Sequence, residues 1–350
     1  MERRFNTRFV AIALLALSMG VVGAPSRKNN TAPAGKFHLL QKYKIGGEGS
    51  WDYLTIDSSA RRMYISRATR VIIMNVDTGA VVGEIPNTNG VHGIALAPEF
   101  GKGFVSAGRD GKVVIFDLKT GKTIGEAKAG TNPDAIIYDD ASKRAFAFNG
   151  ASRDFTAIDA ATGQSMPGPA LGGKPEFAAA DGKGGVYVNI EDKSEVVSLD
   201  SKTLTIRARW PLAPGEEASG MAIDRDHGRL FIGCHNQMMV VMDTATGRVV
   251  TTLPIGRGVD ANGFDPGSKL AFSSNGDGTL TVVHEDTPDK FTVVDNVMTQ
   301  LGARTMAVDL KTHNVFLVTA EFKQEQPAAG APRQRPTMIP DTFTVLVYGM

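Results

Sequence analysis

Thr-Gly pairs recur at a fixed interval: Thr78-Gly79, Thr120-Gly121, Thr162-Gly163 and Thr246-Gly247, separated by 42, 42 and 84 residues. An aromatic residue keeps the same beat at Tyr64, Phe104, Phe146, Tyr187, Phe231, Phe272 and Phe316, with gaps of 40 to 44. Between these markers lie short apolar runs cut by Gly, Pro and Asp. The stretch from Val91 to Gly130 is the clearest unit. It predicts strands over His92–Ala97, Gly103–Ala107, Val113–Phe116 and Lys122–Ala127, because β-branched apolar residues suit a covered pleated surface and the punctuating residues permit reversals. A four-stranded unit at this period, repeated seven times, predicts a seven-bladed β-propeller, an all-β fold. A helical solenoid of similar period would need apolar residues at helical spacing, which runs such as VVIF at 113–116 and MVVM at 239–242 do not provide.

The chain ends bear on closure. Lys36–Ile45 reads as a strand with no unit of its own, and the last unit supplies only Thr305–Asp309, Val315–Thr319 and Thr342–Tyr348. The N-terminal strand is therefore expected to complete blade seven, pairing an otherwise open edge. Residues 36–350 read as a single domain. Blade seven carries an insertion at about 320–341, rich in proline (Pro327, Pro332, Pro336, Pro340) and expected to act as either a spacer or a lid. Ahead of the propeller, Arg3, Arg4 and Arg8 precede the apolar run Phe9–Val22 and small residues at Gly23-Ala24, the pattern of a signal peptide over 1–24. Residues 25–35 read as a flexible lead-in. The expectation is a periplasmic or secreted monomer with no membrane span in the mature chain.

The units resemble the YVTN-repeat propellers, in particular the YncE-like family of exported seven-bladed propellers. The resemblance rests on Met63-Tyr64-Ile65-Ser66, Gly103-Phe104-Val105-Ser106 and Val186-Tyr187-Val188-Asn189, and on the third-strand patterns IFDLKTG at 115–121 and VMDTATG at 241–247. It covers residues 36–350. Leu204 stands where the turn glycine of blade four belongs, and blade six reads Asp286-Thr287-Pro288 there. The resemblance implies a rigid exported propeller and no particular chemistry.

Composition narrows the function. The formal net charge is +1, and −1 without residues 1–24, so electrostatic attraction to nucleic acid is weak and that class is disfavoured. The sole cysteine, Cys234, excludes a disulfide framework and a CxxCH haem site. Its neighbour His235 does not make it a nucleophile; a small buried thiol is expected. No GxSxG or Ser-His-Asp arrangement is visible.

A ring of polar residues remains. Counting back twelve residues from each aromatic marker, eleven in blade four, gives Asp52, His92, Asp134, Glu176, Ser219, Asp260 and Arg304. These enter the inner strands and should share one level around the axis, with Trp51 beside Asp52. Arg67, Arg109, Asn149, Arg153, Glu191, His235, Asn236, Asn275 and Glu321 are expected on the loops of that face. Two readings stand. The ring is structural hydrogen bonding, or it is a funnel binding a small polar ligand, a divalent cation or a protein partner. Oxygen donors suit Ca²⁺ or Mg²⁺, and His92 extends the choice to Mn²⁺ or Zn²⁺. A binding or scaffold protein is the first functional reading; a metal-assisted lyase or lactone hydrolase is the alternative.

Overall fold

The computed structural model describes residues 1–2, 36–323 and 337–350. The expected signal peptide (from residue 3), the lead-in and residues 324–336 of the insertion lie outside the described residues. Seven four-stranded antiparallel sheets follow one another along the chain. The unit beginning at Val91 has strands Val91–Ala97, Lys102–Ala107, Lys112–Asp117 and Thr123–Lys128, within a residue or two of expectation. The first strands of successive blades are neighbours around the axis, and that of blade seven meets that of blade one. The protein is a seven-bladed β-propeller.

Burial explains why the middle strands are apolar throughout. In Lys102–Ala107 and Lys112–Asp117 four or more consecutive residues are buried, since a neighbouring blade covers each face of the sheet. The outer strand Thr123–Lys128 is largely exposed. Seven apolar clusters occupy the seven blade interfaces. Between blades one and two, Tyr64, Val71 and Ile73 meet Val91, Val105 and Phe116, with the Tyr64 and Phe116 rings 5.4 Å apart. The core is thus distributed around the ring rather than gathered at one centre.

The Thr-Gly repeat is a hydrogen-bonded turn. Asp117 Oδ1 accepts from the Thr120 amide and from the Thr120 hydroxyl, both at 2.7 Å, and Gly121 follows at φ +73°. Asp159 with Thr162 and Asp243 with Thr246 repeat it. In blade four Leu204 takes the left-handed place at φ +61°, which costs a residue with a Cβ on the order of 1–2 kcal/mol. Blade six replaces the turn with a longer hairpin between Thr279–Thr287 and Lys290–Met298. Both departures remain local.

Closure occurs as expected. His38–Lys44 pairs antiparallel with Thr344–Gly349, so blade seven is assembled from both chain ends. Phe37, just before that strand, is buried edge-on to Phe272 at 5.3 Å and joins the cluster between blades six and seven. Tyr43 lies over the turn of blade one, where a Cβ on Gly79 would come within 2.1 Å of its ring. Removing residues 36–46 should abolish cooperative unfolding, since loss of a buried ring such as Phe37 alone costs about 3–5 kcal/mol and a strand edge is opened as well. Calorimetry on a chain starting at Gly47 checks this; an unchanged cooperative melt would show that closure is dispensable.

Candidate functional site

The inner strands do not run regularly into the axial funnel. In blades two to six the ladder slips near the strand start: between Val91 and Ile94, Pro133 and Ile136, Pro175 and Ala178, Ala218 and Met221, and Val259 and Ala261. The residues skipped include His92, Asp134, Glu176, Ser219 and Asp260. A bulge frees a residue from cross-strand pairing and re-aims its side chain, here at the head of each inner strand.

The freed backbone is held by small polar residues on the second strands. Asp52 donates its amide to Ser66 Oγ at 2.8 Å, and Gly93 donates to Ser106 Oγ at 2.8 Å. Ser106 donates in turn to the Asp134 carbonyl of the next blade, Asn189 to that of Ser219, and Ser274 to that of Arg304, while Ser219, on its own inner strand, donates to the carbonyl of Asp260. Many ring residues are therefore fixed by a hydrogen bond from the preceding blade. Ser66, Ser106 and Asn189 close the tetrapeptides on which the family resemblance rests, so the fourth position of that repeat supplies the supports of the ring.

All seven ring residues border one cavity of about 560 Å³, together with Trp51, Arg109, Glu191 and His235. The other loop candidates lie elsewhere. Arg67 is fully buried, its guanidinium 3.8 Å from the Phe343 ring centroid and donating to the carbonyls of Gly46, Gly47 and Glu48. Burial lowers its pKa to about 10. Asn149 and Asn275 are buried within their own blades, on Thr156 and Thr281. Asn236 braces the loop at Pro214 and Glu216, Arg153 pairs with Asp192 at 3.1 Å, and the Glu321 amide donates to Thr342. Sequence reasoning missed the aromatic floor: Tyr53 and Phe177, each one residue past a ring carboxylate, stack at 4.5 Å and border the cavity. The base of the insertion is a short ladder, Lys323 to Thr337 and Ile339 to Glu321, and Phe322 there lies 6.2 Å from Trp51.

Charge is concentrated and incompletely matched. His92 Nδ1 lies 2.6 Å from Asp52 Oδ2 and 3.4 Å from Asp134 Oδ1. Burial disfavours the imidazolium, but the hydrogen bond to Asp52 and the surrounding carboxylates outweigh it, and the His92 pKa is raised. Burial pushes Asp134 up to about 6, with His92 pulling the other way. Burial and then the Asp134 charge push Glu176 up to about 8, against Lys174. Burial pushes Asp260 up to about 6, although Arg304 Nε is 3.4 Å away. Lys174 is bonded to Glu191; its distance to Glu176 Oε2 is 3.2 Å, yet that oxygen and Asp260 Oδ2 accept no hydrogen bond and are shielded from solvent. Asp52, His92 and Asp134 also present donor atoms within 4.8 Å of one another, close enough to share a metal ion. No family model matches the chain, and no curated protein matches it.

These groups make stability depend on pH in one direction. Between its ordinary 4.5 and about 8, folded Glu176 keeps a proton that the unfolded chain has released, so stability falls as pH rises through that window. Asp134 and Asp260 act likewise between 3.8 and about 6, and the stability from His92 is lost as pH rises past its raised value. The melting temperature of the ligand-free protein should therefore decline from about pH 5 to pH 8. Glu176→Gln should flatten the decline and raise Tm at pH 8, by about 2–4 °C per kcal/mol of relieved charge. Thermal melts across that range check both expectations, and a variant slope equal to the wild type would refute them.

Proposed function

We propose that this chain is an exported propeller of the YncE-like kind and that its funnel binds a small cationic species, either a divalent metal ion or the ammonium group of a small polar ligand. One observation carries the reading: Glu176 Oε2 and Asp260 Oδ2 are hidden from solvent with no well-formed hydrogen bond, each facing a single side-chain cation (Lys174 at 3.2 Å, Arg304 at 3.4 Å), in a cavity ringed by further carboxylates. A buried acceptor left unsatisfied is costly, and a cation would satisfy several at once. Its arrival would displace protons from the raised carboxyls and relieve their mutual repulsion. The aromatic floor offers an apolar wall to the carbon skeleton of an organic cation.

A second reading draws on the 2.6 Å contact between His92 Nδ1 and Asp52. A carboxylate in that position orients an imidazole and strengthens it as a base, so His92 could accept a proton from a bound molecule or water. A lyase or hydrolase would use it in that way, with the cation holding the substrate. The signal-like start of the chain supports export; expression of the whole chain followed by fractionation and N-terminal sequencing tests it.

Titration calorimetry with Ca²⁺, Mn²⁺ and a simple diamine distinguishes the forms of cation. Binding should tighten as pH rises from about 6 to about 8, because the carboxyls must shed their protons first. Asp134→Asn combined with Glu176→Gln should keep the fold, raise the ligand-free Tm and abolish binding. His92→Ala should fold and bind at least about tenfold more weakly, a loss of about 1.4 kcal/mol. If every ring variant unfolds and the wild type takes up neither metal nor amine, the ring is structural and the reading falls.

A further inference from the structure

The opposite end of the propeller holds a second cluster of chemistry-bearing groups. Asp224 ends the inner strand Ala218–Asp224 of blade five, and Ser219 of the funnel ring stands near its start. Five residues of strand put roughly 16 Å between the two levels. His227 lies in the turn after Asp224, with Nδ1 2.6 Å from Asp224 Oδ2 and 2.9 Å from Glu285 Oε1 of blade six. The three residues present donor atoms within 4.8 Å of one another.

Repetition of the blades shows which of these groups the fold requires. The Asp at the end of the inner strand caps its turn: Asp224 accepts from the Asp226 amide, as Asp265 does from Gly267 and Asp309 from Lys311. An Asp-His contact also recurs, since His313 Nδ1 lies 2.8 Å from Asp265. Glu285 is different. Its amide donates to the Lys269 carbonyl, and the same bond is made by Val76 to Arg61, Leu118 to Gly101, Ala160 to Lys143, Ser201 to Gly184 and Thr244 to Gly228. Glu285 therefore occupies a place that blades one to five fill with an apolar or small neutral residue. It is 2% exposed, and neither carboxylate oxygen is satisfied by a backbone or neutral donor; its partners are the His227 ring and the adjacent Asp224 carboxyl, and burial followed by the Asp224 charge pushes it up to about 7.

We propose that Asp224, His227 and Glu285 form a binding site for a divalent transition-metal ion, of which Zn²⁺ is the best match, at the interface of blades five and six. Two carboxylates and one imidazole are a donor set that zinc accepts, whereas Ca²⁺ and Mg²⁺ prefer oxygen alone. The charge points the same way. Two buried carboxylates face a single imidazole; neither has a Lys or Arg within ion-pair distance among the described residues, and Lys269 attracts Glu285 only from further off. A doubly charged ion balances the pair where one imidazolium cannot. His227 is partly exposed, which gives the ion a path in and leaves a coordination position open to solvent. The site is independent of the funnel.

Equilibrium dialysis of the full-length protein against Zn²⁺, with Co²⁺ as a visible reporter, tests the proposal. Wild type, Asp134→Asn and His313→Ala should each retain a tight ion at this site, with a Co²⁺ absorption band and a Tm raised by several degrees in Zn²⁺. Glu285→Gln and His227→Ala should lose that equivalent, the band and the Tm shift. His227 is exposed enough that its variant should fold even if Glu285→Gln does not. Equal Zn²⁺ uptake and equal Co²⁺ spectra in wild type and His227→Ala would overturn the proposal, as would a wild type that takes up no Zn²⁺. Either result would leave the triad as a clamp in which Asp224 and Glu285 share His227.

Discussion

Every blade is a sheet with two apolar faces, and no blade can cover both by itself. This constraint governs the rest of the molecule. Ring closure satisfies it, because each face of Tyr64, Phe104 or Phe231 and their strand neighbours finds an adjoining blade. Apolar burial of this kind is non-directional and sums over the ring, so no single interface dominates. It also leaves most of the funnel lining, apart from Trp51, Val91 and the Tyr53 and Phe177 rings, to residues that the apolar interfaces do not need. The inner strands can therefore turn polar side chains inward without interrupting the packing that holds the blades together.

The funnel shows how that freedom is used. Bulges lift the ring residues out of the strand ladders, and second-strand hydroxyls and amides hold the backbone they leave behind. The side chains then meet across the axis from separate blades. Their charges are desolvated by position rather than by any deep core, and Glu176 illustrates the result: burial and a neighbouring carboxylate together push it toward the neutral form. Such strain persists because the apolar interfaces elsewhere over-determine the backbone.

The architecture was legible because the repeat is redundant. Even where Leu204 replaces the turn glycine and blade six lacks the turn, four Thr-Gly units and an aromatic beat through all seven blades carry the period. The ring was legible for the same reason: a fixed offset from each aromatic reaches the same structural level, and the cavity gathers all seven positions. Positions expected on loops were harder. Arg67, Asn149 and Asn275 instead end the second strands of their blades, and they point into the blades to satisfy carbonyls and hydroxyls. Residue type alone does not separate a ligand contact from an internal hydrogen bond. Glu285 was missed because it is one acid in an acidic stretch, EDTPD, and only its depth beside His227 distinguishes it.

The stacked rings of Tyr53 and Phe177 border the polar cavity on one side and, on the other, a cavity of about 800 Å³ lined by residues such as Ile56, Leu96, Ile136 and Met221. The same two rings thus belong to both walls. A substitution made at Tyr53 or Phe177 to reshape the polar funnel also alters the lining of the apolar cavity, so the two ends of the axis cannot be redesigned independently through these residues.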